Sequence, residues 1–159
     1  MVCKDLSRIG WAGVDFRQAF DDLVRFETEL WNALNARLVA ESEITLGAFN
    51  VLLIVSDRPR CRVQDLAAAL AITVGGVSQA VDRVEARGFL VRTPNPTNRR
   101  SSYLSITDSG RSALTRAVGI FDDELSIWFG APAKGYSFTR FSADLAALRA
   151  ANEARQAIL

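Results

Sequence analysis

Residues 63–107, VQDLAAALAITVGGVSQAVDRVEARGFLVRTPNPTNRRSSYLSIT, constrain the fold more than any other part of this chain. Two short helical patterns come first and two strand patterns follow, closed around an arginine-bearing turn. In the first helix, 64–70, Leu66, Ala67 and Leu70 recur at helical spacing. Thr73 is a good N-cap for a second helix over 74–87, with Val77, Ala80, Val81 and Val84 on one face and Gly88 as its stop. Residues 89–93 and 102–107 read as strands, and PNPTNRRS between them is rich in turn formers.

Elsewhere the chain reads as helix. Over 14–39, Phe16, Phe20, Leu23, Leu30, Leu34 and Leu38 recur at three, four or seven residues, and Val24 and Trp31 widen the stripe. So broad and aromatic a stripe fits either a core helix or one that also faces a partner subunit. Thr45 caps a helix to about Ser56 that buries Leu46, Phe49, Leu52 and Leu53, and the segment around Pro59 ends it. Cys61-Arg62-Val63 has the alternation of a short edge strand. Thr107 or Asp108 caps a helix over 109–129 with the stripe Leu114, Val118, Phe121, Leu125 and Trp128. A loop around Pro132 leads to a last helix over 139–157. With 159 residues and no long linker, the expectation is a single mainly α domain, 1–159. Its lobe of interest is 45–107, flanked by long helices over 14–40 and 109–157.

The net charge is +1, but it is unevenly placed. Residues 1–57 carry five basic and nine acidic side chains, residues 58–111 nine arginines and four acids, and residues 112–159 five of each. A nucleic-acid footprint is a local basic patch rather than a global excess. The middle third is therefore where a phosphate backbone would dock, or else a solvated face on which arginines happen to cluster. With no histidine and two cysteines, Cys/His metal sites, disulfide frameworks and His-dependent triads find no support. No nucleophile–base pair or phosphate-binding glycine loop stands out, so an enzyme is not expected, nor any cofactor. No apolar run reaches the ~20 residues of a membrane helix, and the N-terminus has no secretory apolar region. The expected location is cytoplasmic.

With 77, 80, 81 and 84 inward, the helical period turns Gly75, Ser78, Gln79 and Asp82 outward, with Arg83 at the edge. Gln bonds adenine bidentately, Ser bonds either partner, and Arg takes guanine or phosphate. Gly75 and Gly76 each cost ~1 kcal/mol of helix propensity. They either soften the helix start or let it approach a phosphate closely. The strand-joining turn presents Asn98, Arg99 and Arg100, suited to backbone or minor-groove contact. Together these features describe a winged helix-turn-helix: one helix for the major groove and a basic β-hairpin wing beside it.

The runs AVDRVEARGFLVR and PNPTNRRSSYLSITDSGR resemble the signature of MarR-type transcriptional regulators, a recognition-helix end leading into a wing. TLGAFNVLLIVSD and VQDLAAALAI are similar to earlier family segments, so the likeness runs in register from about Thr45 to Ala117. The resemblance implies a homodimer binding double-stranded DNA at a palindromic operator, with the outer long helices as the dimer interface. It places Ser78, Gln79 and Arg83 at the major groove, and Arg99 and Arg100 at the wing. Two departures stand out: Asn98 replaces a usual acid that orients a wing arginine, and Arg62 stands where a Ser or Thr cap is common.

The resemblance also implies a ligand-responsive repressor with a small aromatic effector bound between dimerisation helices and DNA-binding lobe. Trp11, Phe16, Phe20, Trp31, Phe49 and Trp128 fit such a crevice or plain core. Two alternatives stay open: a winged-helix protein-interaction module that has lost DNA binding, and a cysteine-based redox sensor. For the latter, Cys3 has Lys4 beside it to lower its pKa, whereas Cys61 reads as a buried small hydrophobe.

Overall fold

The computed structural model describes residues 15–98, 101–130 and 135–156. Six helices and one hairpin follow in the order α1 (Phe16–Ser42), α2 (Leu46–Asp57), α3 (Val63–Leu70), α4 (Val74–Ala86), β1 (Leu90–Pro94), β2 (Ser102–Ile106), α5 (Asp108–Phe129) and α6 (Phe138–Gln156). The mainly α winged-helix architecture expected from the sequence is present.

Each helix of the lobe starts where a side chain can satisfy its orphan N–H groups. The hydroxyls of Thr45, Thr73 and Thr107 accept from the backbone N–H groups of Ala48, Gly76 and Gly110 at 3.2, 3.2 and 3.0 Å. Thr107 is thus the cap of α5, and Asp108 is its first helical residue. Helix α1 runs to Ser42, three residues beyond the sequence expectation, because Glu43 stops it in the left-handed conformation at φ 61°.

The expected edge strand at Cys61-Arg62-Val63 shrinks to one bridge. The Leu104 N–H donates to the Cys61 carbonyl at 2.8 Å, but Arg62 is already the cap of α3 and Val63 its first residue. An arginine side chain cannot accept a hydrogen bond. Instead the Asp65 carboxylate takes the Arg62 backbone N–H at 2.9 Å, and the guanidinium forks onto the same carboxylate at 3.0 Å on each arm. This ion pair starts the helix without the hydroxyl usual at that place.

The core lies between the lobe and the inner halves of α1 and α5. Leu38, Ile44, Val51, Leu52, Leu66, Val77, Val81, Ala113 and Ala117 are wholly buried, with Phe49, Val84, Leu90 and Leu104 almost so. Phe49 stacks on Phe121 of α5 with ring centroids 4.6 Å apart. Strand β1 pairs antiparallel with β2, Leu90 opposite Ile106 and Pro94 opposite Ser102. Where the hairpin meets α5 the backbones are in close contact: a Cβ at Gly110 would come within 2.1 Å of the Phe89 carbonyl oxygen. That carbonyl accepts the Thr107 N–H at 3.0 Å, and the Gly88 carbonyl takes the hydroxyls of Thr107 and Ser109. The root of the hairpin is thereby locked to α5. No single described helix is long and apolar enough to cross a membrane.

Candidate nucleic-acid interface

Helix α4 divides cleanly into two faces. Val77, Val81 and Val84 are at most 2% exposed, while Gly75, Gln79, Asp82 and Arg83 are exposed and Ser78 is half-buried. The outward set is the one the 3.6-residue period predicts, with Ser78 turned toward the hairpin side. Ala80 is half-buried rather than fully inward. At the helix start a Cβ on Gly75 would meet nothing within 4 Å, so the protein's own packing does not require a glycine there.

A concavity of about 260 Å³ lies beside this face, lined by Arg62, Val63, Gln64, Val74, Ser78, Ser101 and Ser102. It joins the start of α3, the start of α4 and the far end of the hairpin. Gln64 and Arg62 thus join the candidate surface, where the sequence pattern alone does not put them. Their position at a capped helix start directly before the helix-turn-helix is the available signal.

The hairpin arm is tied to α4 by Arg92. Its guanidinium reaches Asp82 at 2.5 Å and also pairs with Glu85, whose carboxylate accepts the Arg92 backbone N–H at 3.2 Å. The sequence reading does not anticipate this tie, although the strand alternation contains a hint. Leu90 is buried and Arg92 shares its face of β1, so a cation at an inward position requires an acid on the helix beneath. Asp82 therefore has a structural partner and is not simply an outward polar group.

The hairpin turn is organised by Asn95, which is 5% exposed. Its amide donates to the Ser101 hydroxyl at 2.9 Å, and its side-chain carbonyl oxygen accepts from the Thr97 N–H at 3.0 Å and the Thr97 hydroxyl at 2.8 Å. Asn98 contributes through its backbone, with its N–H on the Asn95 carbonyl and its own carbonyl accepting the Ser101 N–H at 3.0 Å. Asn95 thus fixes the backbone path of the turn on either side of Asn98. Arg99 and Arg100, expected at the wing, lie outside the described residues.

The electrostatics sharpen the charge count. Arg62 and Arg92 are neutralised by acids, so they add little to a positive field. Arg83 and Arg87 instead donate to backbone carbonyls, Arg83 to Gln79 at 3.2 Å and Arg87 to Glu43 at 2.5 Å. Arg87 also lies over the Phe89 ring, 4.8 Å from its centroid. Those interactions orient the two guanidinium groups without cancelling their charge. The side-chain hydrogen bond from Arg62 holds the Asp65 carboxyl below its ordinary range.

The aromatic residues considered for an effector crevice do not gather in one place. Trp11 and Cys3 lie outside the described residues. Phe49 is core, Phe16, Phe20 and Trp31 are exposed, and Trp128 packs edge-on against Phe26 with centroids 5.7 Å apart. Cys61 is buried, and burial pushes its thiol pKa upward, the reverse of what a reactive cysteine needs.

Comparison with known proteins places these features in a family. The MarR family profile matches residues 42–101. The chain is 30% identical over 112 residues to an HTH-type transcriptional regulator from Bacillus cereus, covering 65% of this chain and 74% of that protein. Its fold is similar to that of a MarR family regulator from Streptomyces coelicolor solved in complex with DNA, with a TM-score of 0.74 and 21% identity over 87% of this chain and 86% of that one. It is also similar to BpsR of Bordetella bronchiseptica, whose DNA binding is regulated by 6-hydroxynicotinic acid, with a TM-score of 0.71 and 23% identity over 87% and 96% of the two chains. The chain belongs to the MarR family of DNA-binding, winged-helix transcriptional regulators.

Proposed function

We propose that this chain acts as a homodimeric, ligand-responsive repressor, cytoplasmic in location, that binds a palindromic operator. The observation that carries the DNA part is the division of α4. Val77, Val81 and Val84 are sealed in the core, and exposed Gly75, Gln79 and Arg83 with half-buried Ser78 form a polar edge beside the hairpin. In this reading Ser78 and Gln79 meet base edges, and Arg83 takes guanine or a phosphate. The first turn of α4, at Gly75, lies against the DNA backbone in this reading. Asn98, Arg99 and Arg100 grip the flanking minor groove or phosphates. A two-fold dimer presents two such edges, so its site repeats with inverted symmetry.

Dimerisation is supported by α1 and α6. Phe20, Leu23, Val24 and Trp31 are 67, 52, 44 and 44% exposed on one long helix, and Leu148 of α6 is 68% exposed. Apolar residues so placed along helices are the usual material of a subunit interface. A small aromatic effector is proposed by likeness to BpsR, whose own regulator is a pyridine acid. The redox alternative draws no support from Cys61, which is buried with a raised pKa.

The test is a selection of DNA sequences by the wild-type protein, repeated with Gln79→Ala. A palindromic consensus with base preference altered at one symmetric pair of positions is expected. A consensus unchanged by the substitution would remove Gln79 from base reading, and no enrichment at low salt would overturn the DNA reading.

A further inference from the structure

The first turn of α4 offers DNA almost nothing that hydrogen-bonds through a side chain. Every residue from Ala71 to Gly76 is exposed. Gly75 and Gly76 carry no side chain, and the Thr73 hydroxyl is held at the cap, where it accepts the Gly76 N–H at 3.2 Å. That leaves Val74, the first residue of α4, which is 50% exposed. The other valines of the helix, Val77, Val81 and Val84, are buried. Val74 is the one valine of α4 that the core does not use.

A half-open valine is common on protein surfaces and by itself says little. The position of this one gives it meaning. Val74 and Ser78 are one helical turn apart on the same face. Both line the concavity of about 260 Å³ between the starts of α3 and α4 and the far end of the hairpin. Val63 and Val74 are its apolar lining, and the rest is polar. The Arg62 guanidinium there is paired with Asp65 at 3.0 Å, so it brings little net charge. The wall thus sets two branched, methyl-bearing side chains beside a hydroxyl.

One base edge in the major groove has the matching pattern. Thymine shows the O4 acceptor next to its C5-methyl group, whereas cytosine shows an amino donor and the purines show polar atoms only. A valine gains by covering a methyl group and loses by desolvating a donor or acceptor. A recognition helix enters the groove with its N-terminal residues against base edges, which is where Val74 stands.

We propose, on the basis of the DNA reading above, that Val74 covers the C5-methyl group of a thymine and so fixes an A·T pair at one place in each half-site. Ser78, one turn on, has a hydroxyl that can donate to the O4 of the same or the neighbouring base.

The test uses a site selected from random DNA by the full wild-type chain. Each symmetric pair of thymines is replaced in turn by deoxyuridine, which removes the methyl group and keeps every hydrogen-bonding atom, and affinity is read by fluorescence anisotropy. At one symmetric pair uracil should weaken wild-type binding about fifteenfold, about fourfold for the methyl group covered in each half-site. Val74→Ala, its fold checked by melting temperature, should bind the thymine and uracil forms of that pair equally and keep the wild-type response at every other thymine. A selected site in which no thymine methyl matters, or a uracil effect undiminished in Val74→Ala, would overturn the role of Val74 and leave the DNA reading standing. Failure of the wild type to enrich any sequence at low salt would overturn the DNA reading, and this role with it.

Discussion

The lobe from α2 to β2 and the outer stretches of α1 and α6 solve the problem of apolar surface in opposite ways. In the lobe the large side chains close on one another: Val51, Leu52, Leu66, Val77 and Val81 are wholly buried. Along α1 before Leu30, and along α6, all but Phe26 and Phe141 stay open. Phe20 and Leu148 are 67 and 68% exposed, and so is Ile127 near the end of α5 at 72%. The lobe's polar groups also find partners within it, as Asp65 does with Arg62 and Asn95 with Thr97 and Ser101. The difference teaches that the lobe closes its core with the inner halves of α1 and α5, whereas the outer stretches of the long helices keep apolar surface that a further surface would cover.

Substitutions on the two sides should therefore behave differently, and the largest contrast is in stability. Phe49→Ala removes a buried ring stacked on Phe121. It should lower unfolding free energy by about 3–5 kcal/mol, read by denaturant melts. Phe20→Ala should cost the folded chain almost nothing when dilute but raise the dimer dissociation constant, read by analytical ultracentrifugation. An equal loss at both positions would erase the distinction between the regions.

Next in size is Arg92→Met, which keeps the stem and removes the ties to Asp82 and Glu85. It should weaken DNA binding about tenfold with roughly 1 kcal/mol lost from folding. If DNA affinity falls no more than stability explains, Arg92 is only a staple. Gly75→Ala separates the same two quantities in the other direction. With no atom near the added Cβ, the free protein should gain about 1 kcal/mol of helix propensity, while DNA affinity drops if the helix start lies against phosphate. Unchanged affinity would leave Gly75 as a soft helix start.

The smallest effect is pH dependence in the lobe. Asp65 has a folded pKa below its unfolded value, so its contribution is present above the unfolded pKa. It is lost as pH falls through the lower, folded one. Asp65→Asn should flatten that acid limb of the stability curve slightly, and an unaltered limb would show that the Arg62 pair does not start α3.

What is legible in the sequence is whatever depends on local chemistry and period. Thr45, Thr73 and Thr107 announce helix starts because a hydroxyl three residues before an open N–H is a local fact. The buried and exposed faces of α4 follow from the spacing of its valines. Less legible are pairings set by how the elements come together. Arg92 meets Asp82 across ten residues, and Arg87 meets the Glu43 carbonyl across forty-four. The apparent strand at Cys61-Arg62-Val63 misleads because alternation over three residues cannot outweigh a carboxylate placed to start a helix at Val63. Asn95 reads in the sequence as one more turn residue, and only the turn's closure shows that its side chain organises it.

The central claim is that the basic lobe, and not the long helices, carries DNA affinity. Its most direct test is the salt dependence of binding to the DNA upstream of the chain's own gene, measured by fluorescence anisotropy. Affinity of the wild type should fall linearly on logarithmic axes. Arg99→Ala with Arg100→Ala should reduce the slope by about two per subunit, about one for each phosphate no longer neutralised. A wild-type affinity insensitive to salt, or a slope unchanged in the double variant, would contradict the account.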